Sequence, residues 1–596
     1  MYAFLALLLA SHNGSAQSNI VEEKNAEQKP VVYQVFTRLF GNTNTTNAPW
    51  GSKAQNGVGK FDDFTPKALN EIKDLGVSHI WYTGVLHHAM ADDYSEFGIS
   101  LDDPDVIKGR AGSPYAIKDY YSVNPDLAKN PAKRVEEFEA LIARSHAAGL
   151  KVIIDIVPNH VARRYQSLAK PEGVVDLGAK DDTSVVYAKT NDFYYIPGKA
   201  FSLPKFPESY LPLGGEAHPL VDGKFDENPA KWTGNGSRKA QPDFNDWYET
   251  VKVNYGVKPD GSYDFAPLPK QYAHKGYQDI VTFWQDKALP SSWQKMRDIA
   301  FYWLDKGVDG FRYDMAEMVP VEFWSYLNAH IKLKNPQATL IAEVYNPSLY
   351  RDYIHLGKMD YLYDKVGFYD TLKWIMQGKQ PANTLMPVHH EVSDIASHML
   401  NFLENHDEQR IASPDFVGDM NKGKPAMVVS HLISQSPSLI YFGQEVGEPG
   451  AENAGFGSAT RTSIFDYIGV PEHQKWMNQG AFDGQLLSTQ QQALRSFYKT
   501  VLNLAKRDAI KHGEMIDLTE SLGKANKHVI GFLRKSNEET LLILANFDNK
   551  AHSVSLPYQT KGHSVLKFAG NNQIQVNNNN TNFTLAPQGA VVVAVE

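Results

Sequence analysis

The chain contains no cysteine in its 596 residues. That excludes disulfides, thiolate metal sites, a cysteine nucleophile and lipidated cysteine anchors. There is no long basic run, and the formal net charge is −9, which argues against a nucleic-acid or acidic-membrane partner. Long apolar stretches are missing as well. Tyr2 to Ala10 is apolar but too short to span a bilayer, so membrane insertion is not expected. Gly14-Ser15-Ala16 behind it has the small residues of a cleavage site. Residues 1–16 therefore read as a signal peptide for secretion or the periplasm, and 17–29 as a polar linker.

What is present is ample material for a large core, 42% apolar and 12% aromatic, in a chain long enough for two or three domains. One unit recurs: a helical apolar pattern, a glycine, then a short apolar strand. Gly76, Gly149 and Gly307 occupy the glycine position, and Val77 to Tyr82, Leu150 to Val157 and Val308 to Tyr313 are the strands that follow. Val31 to Phe36, Thr339 to Ala342, Tyr361 to Tyr363, Met399 to Leu403 and Ser438 to Phe442 are further strand candidates. Eight strands with helices between them predict an α/β chain with a (β/α)8 TIM barrel, a doubly wound sheet being the alternative.

More than a hundred residues rich in Gly, Pro, Asp and Tyr separate the third strand from the helix that starts at Ser292. A loop of that size without structure is improbable, so an inserted domain is expected over 160–285, with the barrel at 30–159 and 286–506. After Lys506 the pattern changes to short β runs with turn residues between them, predicting a C-terminal β-sandwich over 507–596.

Active sites of such barrels form at the C-terminal ends of the strands. The polar residues there are Asp155 to His160, Arg312-Tyr313-Asp314, Glu343, and Glu404 to Arg410. Period-2 geometry puts Arg312 and Asp314 on one side of their strand. A guanidinium beside a carboxylate favours its ionised form, which makes Asp314 a plausible nucleophile. Glu343 follows the apolar run Leu340-Ile341-Ala342, and desolvation there suits a proton donor. Two carboxylates with separated roles fit glycosidic bond cleavage, and retention would place them about 5–5.5 Å apart.

These motifs resemble the α-amylase family of glycoside hydrolases. DIVPNH at 155–160, GFRYD at 310–314, the Glu343 strand end and ENHD at 404–407 match its main blocks in order; QPDFN at 241–245 and SPYAIKDYY at 113–121 match two more. The resemblance implies that Asp314 is the nucleophile, Glu343 the general acid/base and Asp407 the transition-state stabiliser. It implies substrate binding by Tyr115, His160, Arg312, His406 and Arg410. It also implies a calcium ion, with Asn159 as a ligand and the rest drawn from the insertion, for instance among Asp176, Asp181 and Asp182. The Asn-rich loop from Asn42 to Asn56 is a second candidate. The expected activity is hydrolysis of α-1,4 bonds in starch-derived glucans and maltooligosaccharides. An α-glucosidase, a cyclomaltodextrinase or a transglycosidase on small oligosaccharides is the alternative, and an inactive sugar-binding relative a remote one. Where many amylases carry Lys-His after the nucleophile, this chain has Glu317 and Met318.

Overall fold

The computed structural model describes residues 28–596 except 458, 569–570 and 578–579. The stretch read as a signal peptide, 1–16, and most of the expected linker lie outside the described residues. The linker's last residue is not free chain: Lys29 is buried, its ammonium on the carbonyls of His431 and Ser434.

Eight parallel strands close a barrel in chain order. They are β1 (Val31–Phe36), β2 (His79–Thr83), β3 (Lys151–Ile156), β4 (Gly310–Tyr313), β5 (Thr339–Ala342), β6 (Tyr361–Tyr363), β7 (Met399–Phe402) and β8 (Ser438–Tyr441). Both faces of these strands are covered, which is why they read as continuous apolar runs rather than alternating ones. Val32, Trp81, Ile153, Ile341, Leu400 and Leu439 pack together as a cluster of their own. The opposite faces join the larger core, formed with the surrounding helices.

Two glycines show why β4 starts where it does. Gly307, at φ +96°, ends the helix Ser291–Asp305 in a conformation that a side chain would strain. At Gly310 a Cβ would lie 2.1 Å from the Thr339 carbonyl oxygen, so only glycine allows β4 to approach β5 this closely.

The insertion after β3 has little regular structure. Its short strands His160–Ala162 and Thr250–Lys252 pair with each other, as do Tyr195–Ile196 with Ala230–Lys231. The helix Tyr277–Gln285, read from the sequence as part of the insertion, packs Trp284 against Trp293 of the barrel helix Ser291–Asp305. A second excursion, after β2, pairs Leu86–His88 with Ile117–Val123. The C-terminal domain has a five-stranded and a three-stranded antiparallel sheet around their own apolar cluster. Arg534 anchors it to the barrel by donating to the Ile433 carbonyl at 2.8 Å.

Candidate active site

The site begins with strand register. Arg312 sits opposite Asp155 on β3 and Ile341 on β5. Beyond the strand ends, the Asp314 N–H donates to Ile156 O at 3.0 Å and the Glu343 N–H to Tyr313 O at 3.1 Å. Asp314 and Glu343 are therefore neighbours because the ladder between β4 and β5 continues past both strands.

The Arg312 side chain is fully buried and binds three carboxylates. One terminal nitrogen donates to Asp314 Oδ1 at 2.8 Å and to Asp155 Oδ1 at 3.3 Å; the other donates to Glu343 Oε2 at 2.8 Å. Only a planar guanidinium presents donors to several partners in this way. Glu343 Oε2 also accepts the Met315 N–H at 2.9 Å. Met315 has φ +45°, a strained conformation for a methionine, which turns that N–H toward Glu343. Asp155 is held on its other oxygen by Trp81 Nε1 at 2.8 Å.

Asp407 follows β7 and is the most solvent-accessible of the catalytic candidates. Its Oδ2 lies 3.1 Å from His406 Nε2, its backbone N–H binds Asn405 Oδ1 at 2.8 Å, and its carbonyl accepts Arg461 at 2.6 Å. Gln34 Nε2 donates to His406 Nδ1 at 2.8 Å, which leaves the imidazole proton on Nε2, facing Asp407 and the Tyr115 hydroxyl. The Tyr115 ring stacks on His406, and Trp81 meets His406 edge-on.

The electrostatics depart from the sequence expectation. Burial, followed by the negative charge of Glu343, raises the Asp314 carboxyl well above the usual range, and Arg312 only partly opposes this. Burial likewise pushes Asp155 up to about 6. One guanidinium thus does not keep the whole acidic cluster ionised, and Asp314 holds its proton more tightly than a free carboxyl does. His406 is driven well below its usual pKa, first by burial and then by Arg312, and so stays neutral.

One expected substrate contact, Arg410, sits differently. Arg410 is fully buried, with its guanidinium on Glu404 Oε2 and the Phe442 carbonyl, both at 2.9 Å, and on Thr462 Oγ1 at 3.0 Å. It braces the loop after β7 and is not free to bind sugar, because position at a strand end does not reveal which way a side chain turns. His160 is buried and neutral, its pKa pushed down to about 3 by burial and then by Lys252 and Lys108. Its ring meets Trp247 and the Asn159 amide. The sequence reading passed over Gln34, Trp81, Arg461 and Tyr363, whose hydroxyl accepts from Arg312 Nε at 3.3 Å. Trp81 carried a signal, since it is the one indole within the apolar run of β2.

The donors at Asn159 do not fit calcium. Asn159 Oδ1 accepts the Lys252 ammonium at 2.5 Å. Asp176, Asp181 and Asp182 each accept backbone N–H groups of the insertion itself. In the loop from Asn42 to Asn56, the oxygens of Asn42, Asn44 and Asn56 accept backbone N–H groups of that loop. Among the described residues, the one grouping of three His, Asp or Glu side chains close enough to share an ion is His528, Asp548 and His552, in the C-terminal domain.

Comparison with known proteins places this geometry. The family model for the α-amylase catalytic domain matches residues 34–514, and that for the maltogenic amylase C-terminal domain matches 519–592. A cyclomaltodextrinase from Bacillus sp is 23% identical over 544 residues, covering 88% of this chain and 74% of the relative. Neopullulanase 2 from Thermoactinomyces vulgaris is 21% identical over 506 residues, covering 80% and 63%. Among solved structures, an α-amylase from H. orenii superposes with a TM-score of 0.58 at 18% identity, covering 96% of this chain and all of the other.

Proposed function

Because the chain belongs to the α-amylase family of glycoside hydrolases, we propose that it is a retaining enzyme cleaving α-1,4-glucosidic bonds in small α-gluco-oligosaccharides, cyclic maltodextrins included, in preference to polymeric starch. In this reading Asp314 attacks the anomeric carbon while Glu343 protonates the departing oxygen. Water then enters, with Glu343 as the base. Asp407, Tyr115 and His406 hold the sugar at the cleavage point. The observation that carries this assignment is the single Arg312 guanidinium shared by Asp314 and Glu343. It keeps two acids from adjacent strands beside one another.

Two observations favour the small substrate. The relatives that match most of this chain include cyclomaltodextrinases and a neopullulanase. The rim is also bridged. Trp50, from the loop after β1, packs with Tyr210 of the insertion and with Phe456 from the loop after β8, at centroid distances of 6.3 and 6.1 Å. Arg110 reinforces the bridge by donating to the Trp50 carbonyl at 2.8 Å and pairing with Glu216. Loops joined in this way shorten the open length of cleft available to a polymer.

The test is product analysis on β-cyclodextrin, maltoheptaose, pullulan and soluble starch. Higher kcat/KM on cyclodextrin and maltoheptaose than on starch supports the reading. Rapid loss of starch viscosity without cyclodextrin turnover contradicts it and restores the polymer-cleaving alternative.

A further inference from the structure

Asn159 lies three residues beyond β3, where the chain leaves the barrel for the insertion. The insertion returns alongside it: Thr250–Lys252 pairs antiparallel with His160–Ala162, and Lys252 sits opposite His160. The Val253 N–H donates to the Asn159 carbonyl at 3.0 Å, which fixes the two segments in register. The half-buried Lys252 is thereby placed beside the fully buried Asn159 and donates to its Oδ1 at 2.5 Å. The other side of the same amide donates to the Gly234 carbonyl at 2.9 Å, a second tie to the insertion.

We propose that the Lys252 ammonium does at this junction what a divalent cation would do, as a tethered cation that clamps the insertion to the barrel and fixes His160 at the rim, so that the clamp needs no calcium. The sign of the charge and the ligand match, since a cation draws in an amide oxygen. The coordination does not match calcium, which takes six to eight oxygens at roughly 2.3–2.6 Å. A calcium ion on Asn159 Oδ1 would lie against the ammonium already there.

The insertion's carboxylates each have an oxygen engaged elsewhere, while Oδ1 of Asp176 and Oδ1 of Asp192 are buried and accept no hydrogen bond from the described residues. Asp176 binds Lys170 and the Ser167 N–H, Asp181 binds the N–H groups of Asp192 and Phe193, and Asp192 pairs with Lys295. The stabilisation a bound ion gives a fold depends on its free concentration relative to its Kd, whereas a lysine on the chain is present at any calcium concentration. Lys252 is thus a positioning residue. It acts on substrate through Asn159 and His160 and does not touch the reacting atoms.

The test uses the full chain, with thermal unfolding and turnover of a chromogenic maltooligosaccharide measured in excess EGTA and in millimolar calcium. The wild type is expected to unfold at the same temperature and turn over at the same rate in both. Lys252→Met should unfold several degrees lower in both buffers, and its KM should rise more than its kcat falls. Lys252→Arg keeps the charge and should stay near the wild type; Lys252→Gln replaces the methionine variant if that does not fold. A wild-type unfolding temperature that drops in EGTA overturns the proposal. So does a neutral variant as stable as Lys252→Arg.

Discussion

Arg312 donates to Glu343 at 2.8 Å with one terminal nitrogen while holding Asp314, also at 2.8 Å, with the other. The two acids are positioned by one rigid plane, so their separation and orientation depend on the guanidinium's shape as much as on its charge. Arg312→Lys keeps the charge and loses the plane. A misplacement of about 1 Å at a reacting group can cost on the order of 100-fold. The lysine variant should therefore lose at least that factor in kcat, with its far-ultraviolet circular dichroism unchanged. A loss below tenfold would mean that charge alone suffices.

The proton donor is tested by leaving-group dependence. Glu343→Ala should lose a factor of about 10²–10⁴ on a natural maltooligosaccharide. The loss should be much smaller on an aryl maltoside whose phenol departs without protonation, and azide should restore turnover as a glycosyl azide. A uniform loss on both substrates would assign Glu343 a binding role instead.

Stability should respond to Asp314 in a direction opposite to activity. Its carboxyl is raised in the folded protein by burial and by Glu343. The folded state thus binds a proton more tightly there than the unfolded chain does. The favourable contribution is complete below the unfolded carboxylate pKa, near 3.9, and is lost as pH rises through the higher folded value. Asp314→Asn, which cannot ionise, should be inactive and yet unfold at or above the wild-type temperature at pH 7, with the difference shrinking toward pH 4. A variant clearly less stable than wild type at pH 7 would contradict this sign.

Glu317 stands where many amylases carry a lysine, and its position points to a different task. Its Oε2 accepts the N–H groups of Tyr345 and Asn346, at 2.8 and 2.9 Å, on the loop directly after Glu343. One oxygen serves both donors, so Glu317→Gln should stay within roughly threefold of wild-type kcat, as expected when the hydrogen-bonded support is kept. Glu317→Ala should lose about tenfold or more, as outer support residues do. Equal losses in both would show that the charge matters and not the loop contact.

The aromatic bridge gives a specificity prediction. Trp50→Ala removes the ring shared by Tyr210 and Phe456. The ratio of cyclodextrin to starch kcat/KM should fall by roughly tenfold, within the range that a single pocket contact supplies. An unchanged ratio would remove the bridge from the account of substrate size.

Much of the fold was legible because buried parallel strands are short apolar runs set off by glycine-capped helices. β1, β5 and β6 fall where the sequence puts them, to the residue, and the other barrel strands differ by one or two at their ends. Strand ends in a barrel converge by construction, so Arg312, Asp314, Glu343 and Asp407 could be collected without coordinates. What was not legible depends on pairs far apart in the chain. Lys252 and Asn159 are 93 residues apart, and nothing local marks that lysine as the partner of that amide. Arg410 was misjudged for a related reason: its place beside Asp407 is readable, but its inward turn onto Glu404 is not. The proton balance of Asp314 was misread because the nearest charge, Arg312, is visible in sequence, whereas full burial beside Glu343 is not.

Trapping the covalent intermediate probes the assignment of Asp314 most directly. The Glu343→Gln variant, incubated with a 5-fluoro-α-glucosyl fluoride and digested, should give a single glycosylated peptide by mass spectrometry, with the sugar on Asp314. The wild type should release its first product as the α-anomer by NMR. A sugar on Asp155 or Asp407, or β-anomeric product with no adduct, would contradict the account.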